Sequence, residues 1–129
     1  MGRSLIMHID EAPWVHGGPG KQGTFGEQLI GDLEKGPWVL VITIEPNHTS
    51  APHSHDRDET IYILDGEMKL GDRLCGPGTI IHLEKETEYT FTSGSQGVRF
   101  LNVRHGPASY KARDGEWLDE QEWLEANPG

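Results

Sequence analysis

Residues 47–66 read NHTSAPHSHDRDETIYILDG, and this stretch carries the strongest signal in the chain. His53 and His55 are two residues apart, so in an extended strand their imidazoles point to the same face. Glu59 lies an even number of residues further on and can return to that face after a short turn. Two neutral imidazoles and one carboxylate form the ligand set typical of non-haem Fe²⁺ sites, and Mn²⁺, Ni²⁺ or Zn²⁺ accept similar donors. The pattern predicts a divalent metal site with Fe²⁺ favoured, and the alternative is two histidines that bind no metal.

Short apolar segments separated by turn residues surround this stretch. Gly accounts for 17 and Pro for 8 of the 129 residues, which disfavours an all-helical protein. The predicted strands are Ser4–Ile9, Thr24–Ile30, Trp38–Ile44, Thr60–Leu64, Thr79–Leu83, Glu88–Thr92 and Val98–Val103. Several short strands with frequent turns predict an all-β protein, a single antiparallel β-barrel or sandwich. Asp119–Ala126 is predicted as a short amphipathic helix, whose Trp and Leu side chains pack on the barrel as a structural lid.

The overall composition excludes several classes of partner. With 11 basic and 21 acidic side chains the formal net charge is −10, which is unsuited to nucleic acid or an anionic membrane. No stretch approaches the ~20 apolar residues of a membrane span, and no secretion signal is visible, so a cytoplasmic location is expected. Residues 38–44 and 61–64 are continuously apolar, which indicates that both faces of these strands are covered by other parts of the protein. Another sheet, a terminal segment or a partner subunit could supply that cover, and we expect a homodimer.

The spacing around His53 and His55 resembles the first motif of the cupins, G(x)5HxH(x)3E(x)6G. Asn47 replaces the first glycine, and the remaining positions match through to Gly66, which is expected to close a hairpin. The second cupin motif, G(x)5PxG(x)2H(x)3N, matches poorly. Its positions are occupied by Gly78, Glu84, Glu86, Tyr89 and Ser93. The resemblance covers about residues 36–104. It implies one jelly-roll domain over 1–129, with N-terminal strands in 4–30 and a tail at 105–129.

Tyr89 stands where metal-binding cupins have their fourth ligand. It could coordinate as a phenolate, contact substrate beside a three-ligand metal as a catalytic group, or fill the barrel of a protein without metal. Arg99 and Arg104 are five residues apart, so at most one can point inward and bind an acidic substrate. His82 is at an odd offset from Tyr89 and is expected to face away from the cavity.

The resemblance implies a metal-dependent enzyme that acts on a small molecule inside the barrel. Because three protein ligands leave open positions on the metal, an oxidoreductase of the dioxygenase type is favoured, with isomerase and lyase chemistry left open. The alternative is a non-catalytic cupin that binds or senses a small ligand, with or without metal.

Overall fold

The computed structural model describes residues 4–19, 25–32, 35–106, 109–112 and 115–127. Its elements are a 3-10 turn at Ile9–Glu11, β1 (Trp14–His16), β2 (Phe25–Asp32), β3 (Lys35–Ile44), β4 (His53–His55), β5 (Glu59–Leu70), β6 (Arg73–Cys75), β7 (Ile80–Leu83), β8 (Phe91–Arg104), β9 (Tyr110–Ala112) and α1 (Glu120–Ala126). All strand pairings are antiparallel. The main sheet has the order β1-β2-β3-β8-β5-β6, with β7 also paired to β5, while β4 and β9 form a separate ribbon. The predicted all-β jelly-roll fold with a short C-terminal helix is confirmed.

The barrel core lies on one face of the central strands β3, β8 and β5. Trp38, Leu40, Ile42 and Ile44 alternate along β3 and are buried in this core. Val41 points to the other face and is also fully buried. On that face the Gln28 side chain donates to the carbonyls of Ile9 and Ala12, so the N-terminal segment covers part of the sheet. Further along the same face Tyr62 and Ile80 are exposed, and the homodimer stays a prediction.

The predicted strand Ser4–Ile9 is wrong. These residues form no strand, and the chain instead enters the 3-10 turn at Ile9–Glu11. The His8 side chain accepts from the Asp10 amide, and the Glu11 carboxylate accepts from the His8 amide. This reciprocal capping satisfies backbone groups that a sheet would otherwise have to pair. Thr24, the first residue of the next predicted strand, lies outside the described residues.

Two predicted strand breaks are also wrong. Gly66 does not close a hairpin, because β5 continues through it, and 93–95 lies within the single long strand β8. Gly66 and Gly97 have φ angles of 72° and 76°. A Cβ on Gly66 would collide with the Gly97 carbonyl. The two glycines therefore allow β5 and β8 to approach closely at an irregularity in their register.

The remaining elements bring the ends of the chain to the barrel. The three-residue strands β1, β6 and β9 are too short to be predicted from periodicity. Asp119 caps α1 by accepting from the Glu122 amide, as the start of the predicted helix requires.

Asn47, the residue in place of the first motif glycine, has a φ of 57°. No helix of the described residues is long and apolar enough to cross a membrane.

Candidate functional site

A cavity of about 630 Å³ lies inside the barrel. Its walls are mostly apolar. Side chains of the central strands alternate between the inside and the outside of the barrel, and most of those that point inward are hydrophobic. The wall includes Phe25, Ile42, Ile61, Met68, Phe91 and Phe100. One end, which we call the polar floor, consists of His53, Tyr89, Asn102 and Arg104.

The ribbon of β4 and β9 positions the two histidines. His53 pairs with Ala112, His55 pairs with Tyr110, and both histidines are buried. The Nδ1 atom of His53 lies 2.7 Å from the Ala51 carbonyl oxygen, and the Nδ1 atom of His55 lies 3.3 Å from that of Ser109. Burial lowers the pKa of His55 to about 3 and also lowers the pKa of His53. Both imidazoles are therefore neutral at pH 7.

Glu59, at the start of β5, is surrounded by hydrogen-bond donors behind the polar floor. The Tyr89 hydroxyl donates to Glu59 Oε1 at 2.8 Å, and Asn102 Nδ2 donates to Oε2 at 3.2 Å. Arg104 Nε donates to the same Oε2 at 3.0 Å. Burial alone would raise the pKa of Glu59, but the Arg104 charge and the donated hydrogen bonds outweigh burial and lower the pKa. Glu59 is therefore a buried carboxylate anion.

Arg104 and Arg99 lie on opposite faces of β8. Arg104 faces the cavity, is only 3% exposed, and donates from NH1 to the Tyr110 hydroxyl at 3.0 Å. Its register partner on β5 is Glu59, which explains the ion pair. Arg99 instead donates to the Gln28 side chain on the outer face. The structure thus brings Arg104 to the site together with Tyr89 and leaves Arg99 away from it.

The sequence of this chain is similar to that of a known protein family. A family model described as the ChrR cupin-like domain matches residues 3–109. The chain belongs to the ChrR cupin-like family. No curated protein sequence matches the chain.

Solved structures agree on the fold. An RmlC-like cupin from Ralstonia eutropha has a TM-score of 0.72 at 12% identity, covering 96% of this chain and 88% of that chain. The polyketide cyclase RemF from Streptomyces resistomycificus has a TM-score of 0.64 at 19% identity, covering 97% and 94%. The Rhodobacter sphaeroides SigE complex with the anti-sigma ChrR gives 0.60 at 16% identity, covering 75% of this chain and 51% of that one. At these identities the likeness shows the cupin fold alone.

The divalent metal site on His53, His55 and Glu59 of this ChrR cupin-like chain stays a prediction, and the contacts of these side chains in the structure oppose it. Among the described residues, no group of three His, Cys, Asp or Glu side chains could hold an ion. The Tyr89 hydroxyl lies 3.0 Å from His55 Nε2 and 2.8 Å from Glu59 Oε1, so it already contacts two of the atoms that would hold a metal. The Arg104 guanidinium already neutralises Glu59, and it would repel a second cation at this short range.

Tyr89 is a neutral phenol at this site. Burial and the neighbouring Glu59 charge raise the pKa of Tyr89 well above its ordinary value. Its backbone forms a bridge with His53, and the two rings lie 4.7 Å apart on the polar floor. His82 lies on the outer face, where it is exposed and contacts the Thr60 hydroxyl.

The C-terminal segment of this cupin-like chain forms part of the cavity wall. The Trp123 ring stacks on Tyr110 at 5.5 Å between centroids and lies 5.1 Å from His53. Trp123 and Leu124 line the cavity, so the predicted lid helix also contributes to the site. Sequence reasoning missed Tyr110, for which no local signal exists. It also missed Asn102, whose spacing of two residues from Arg104 places both on one strand face.

A second buried carboxyl lies near this segment. Glu27 on β2 is fully buried, and the carboxyl group of Glu120 lies close to its own. Burial, together with the nearby Glu120 of α1, raises the pKa of Glu27 to about 9. Glu27 is therefore protonated at pH 7, in contrast to Glu59.

Proposed function

We propose that the chain binds a small, largely apolar molecule in its barrel cavity and that this binding requires no metal. The observation that carries the proposal is the cavity of about 630 Å³, which is apolar along its walls and polar at one end. Concave sites of this size with a few convergent polar groups are typical of small-molecule binding. The function is that of a ligand-binding or sensing module, since the Glu59 carboxylate already accepts hydrogen bonds from Arg104, Tyr89 and Asn102 and is not free to bind a metal.

A binding titration with N-phenyl-1-naphthylamine, a neutral fluorescent probe, tests this proposal. We expect saturable one-to-one binding that is unaffected by a chelator. Ala51 lines the cavity and is exposed, so the bulky variant Ala51→Trp should weaken binding at least tenfold. Ala126→Trp, on the exposed side of α1, is the matched control and should bind normally. Absence of saturable binding, or equal binding by both variants, would contradict the proposal.

A metal-dependent enzyme, with oxidoreductase chemistry of the dioxygenase type, is the second candidate. It is favoured by the orientation of His53 and His55, whose Nδ1 atoms both lie against backbone carbonyls. Metal-ligating histidines are commonly held in this way, with the other nitrogen directed at the ion. Binding would require Tyr89 and Arg104 to move away from Glu59. A bound divalent ion, Fe²⁺ above Mn²⁺, Ni²⁺ or Zn²⁺, would supply Lewis acidity or oxygen activation.

Metal content separates the two candidates. The untagged protein is loaded anaerobically with iron, manganese, nickel and zinc, dialysed, and measured by mass spectrometry beside His53→Ala and Glu59→Ala variants. The metal-free proposal predicts less than about a tenth of an equivalent in every sample, a level typical of weak, unspecific binding. About one equivalent in wild type, lost in both variants, would establish the metal-dependent candidate instead.

A further inference from the structure

One nitrogen of the Arg104 guanidinium has no partner within the part of the protein that the structure describes. Nε donates to the Glu59 carboxylate and NH1 donates to the Tyr110 hydroxyl, each at 3.0 Å. The third nitrogen, NH2, donates to no acceptor of the described residues, and it is not among their side-chain atoms that are both unpaired and enclosed. Because Arg104 lines the cavity, a molecule bound there can reach the N–H groups of NH2.

The direction of this free donor is fixed by the surroundings of the guanidinium. Its central carbon lies 5.8 Å from the centroid of the Trp38 ring and 5.4 Å from that of the Tyr110 ring. These cation–π contacts add to the two hydrogen bonds and hold the planar group in one orientation. The NH2 donor is therefore preorganised, and a ligand does not lose affinity by ordering it.

A ligand that fills the cavity displaces water from this donor. A hydrocarbon would leave the N–H groups unpaired, which costs free energy, whereas a carbonyl oxygen would accept a hydrogen bond from them. Hydrogen bonds from a charged donor are stronger than those between neutral groups. Because a guanidinium does not lose its proton in proteins, the donor is present at every pH at which the protein is folded.

The cavity wall is suited to aromatic rings. Phe25, Phe91, Phe100 and Trp123 line the cavity. Aromatic side chains favour offset or edge-to-face contact with another ring, which adds to the burial of apolar surface. The molecule that complements the cavity is therefore aromatic and carries an oxygen acceptor at the end that meets Arg104.

We propose that the cavity selects an aromatic compound with a carbonyl oxygen, of a ketone or a carboxylate, which accepts a hydrogen bond from Arg104 NH2 while the rings pack against the aromatic wall. This inference rests on the proposed ligand-binding function and specifies its ligand class. Arg104 is the specificity-determining residue, because its free N–H groups distinguish an oxygen acceptor from a hydrocarbon group of the same shape.

Three probes with the same ring system test the inference by displacement of N-phenyl-1-naphthylamine at pH 7. They are 2-acetonaphthone, 2-naphthoate and 2-isopropenylnaphthalene, in which a CH₂ group replaces the carbonyl oxygen of the ketone. We expect at least one of the two oxygen probes to bind about tenfold more tightly than the hydrocarbon, the effect of roughly one net hydrogen bond. The tighter of the two identifies the ligand oxygen as that of a ketone or of a carboxylate. Equal or weaker binding of both oxygen probes would overturn the inference.

Variants assign the preference to one residue. Arg104→Lys keeps a positive charge beside Glu59 but has a single nitrogen on a shorter side chain, so the tenfold preference for oxygen should fall to about twofold or less. Arg99→Lys, the matched change on the outer face of β8, should retain the preference. A merely structural role of Arg104 would weaken all three probes alike and leave their ratio unchanged, which would contradict the assignment.

Two further measurements complete the test. If Arg104→Lys does not fold, the double variant Glu59→Gln/Arg104→Met replaces it, with the same expected loss of preference and the same contradicting result. The N-phenyl-1-naphthylamine titration of the wild-type protein decides separately whether the cavity binds ligands. Saturable binding of that probe without a preference for oxygen would overturn the ligand class alone, and absence of its binding would overturn the binding function as well.

Discussion

Two buried carboxyl groups of the protein differ in their ionisation state: Glu59 lies behind the polar floor, and Glu27 lies near the helix α1. Glu59 is 2% exposed and Glu27 is 0% exposed. Glu59 accepts three hydrogen bonds and faces a guanidinium, and it is an anion. Glu27 lies near another carboxyl, Glu120, and keeps its proton. Burial is equal in the two regions, so the donors and charges that surround each group decide its ionisation.

The largest expected effect comes from removing the anion on the polar floor. Glu59→Gln leaves Arg104 buried with no opposite charge at its Nε atom, which should cost about 3–5 kcal/mol of unfolding free energy. Urea unfolding followed by tryptophan fluorescence measures this loss. Because a hydrophobic replacement removes the second charge, the double variant Glu59→Gln/Arg104→Met should recover much of the loss. The exposed Glu84→Gln control should change little, and an equally small effect at Glu59 would refute the ion pair.

Glu27→Gln should have the opposite effect above neutral pH and raise the free energy of unfolding. The folded protein keeps the Glu27 proton up to a pKa of about 9, while the unfolded chain releases it near the ordinary glutamate pKa of 4.5. The unfolded state therefore binds fewer protons, and wild-type stability falls by about 1.4 kcal/mol per pH unit between pH 7 and 9 from this group.

Glutamine has no proton to lose, so the variant should lack this slope and be more stable than wild type at pH 9. Urea titrations at pH 7, 8 and 9 measure the difference. The exposed Glu125→Gln variant should keep the wild-type slope. A parallel pH dependence in Glu27→Gln and wild type would show that Glu27 is ionised in the folded protein.

A smaller effect is expected where the C-terminal segment contacts the floor. Tyr110→Phe removes the hydroxyl that accepts from Arg104 NH1 and donates to Glu120 Oε2, and it retains the ring that stacks on Trp123. We expect a loss of about 1–2 kcal/mol of unfolding free energy, the value of two hydrogen bonds. Tyr62→Phe, at an exposed tyrosine on the outer face, should change stability by less than about 0.5 kcal/mol. Equal thermal stability of the two variants would exclude a contribution from these bonds.

The apolar segments and Gly/Pro turns are local features and are sufficient to predict an all-β protein, while the spacing of His53, His55 and Glu59 carries the resemblance that implies the jelly roll. The sequence predicts a turn at Gly66, which is wrong, because a glycine that permits close strand approach and one that ends a strand look alike in sequence. The pairing of Glu59 with Arg104 could not be predicted. It depends on the register of β5 and β8, which pairs two residues 45 positions apart in the chain, and that register depends on the whole sheet.

The most direct test of this account is the carboxyl ¹³C NMR spectrum of glutamate-labelled protein at pH 7, before and after addition of one equivalent of Zn²⁺. We predict an ionised Glu59 and a protonated Glu27, with neither signal changed by the ion, because Arg104 already occupies the Glu59 carboxylate. A Glu59 signal that shifts on addition of Zn²⁺ would contradict a metal-free floor. A protonated Glu59 before any addition would contradict the ion pair itself.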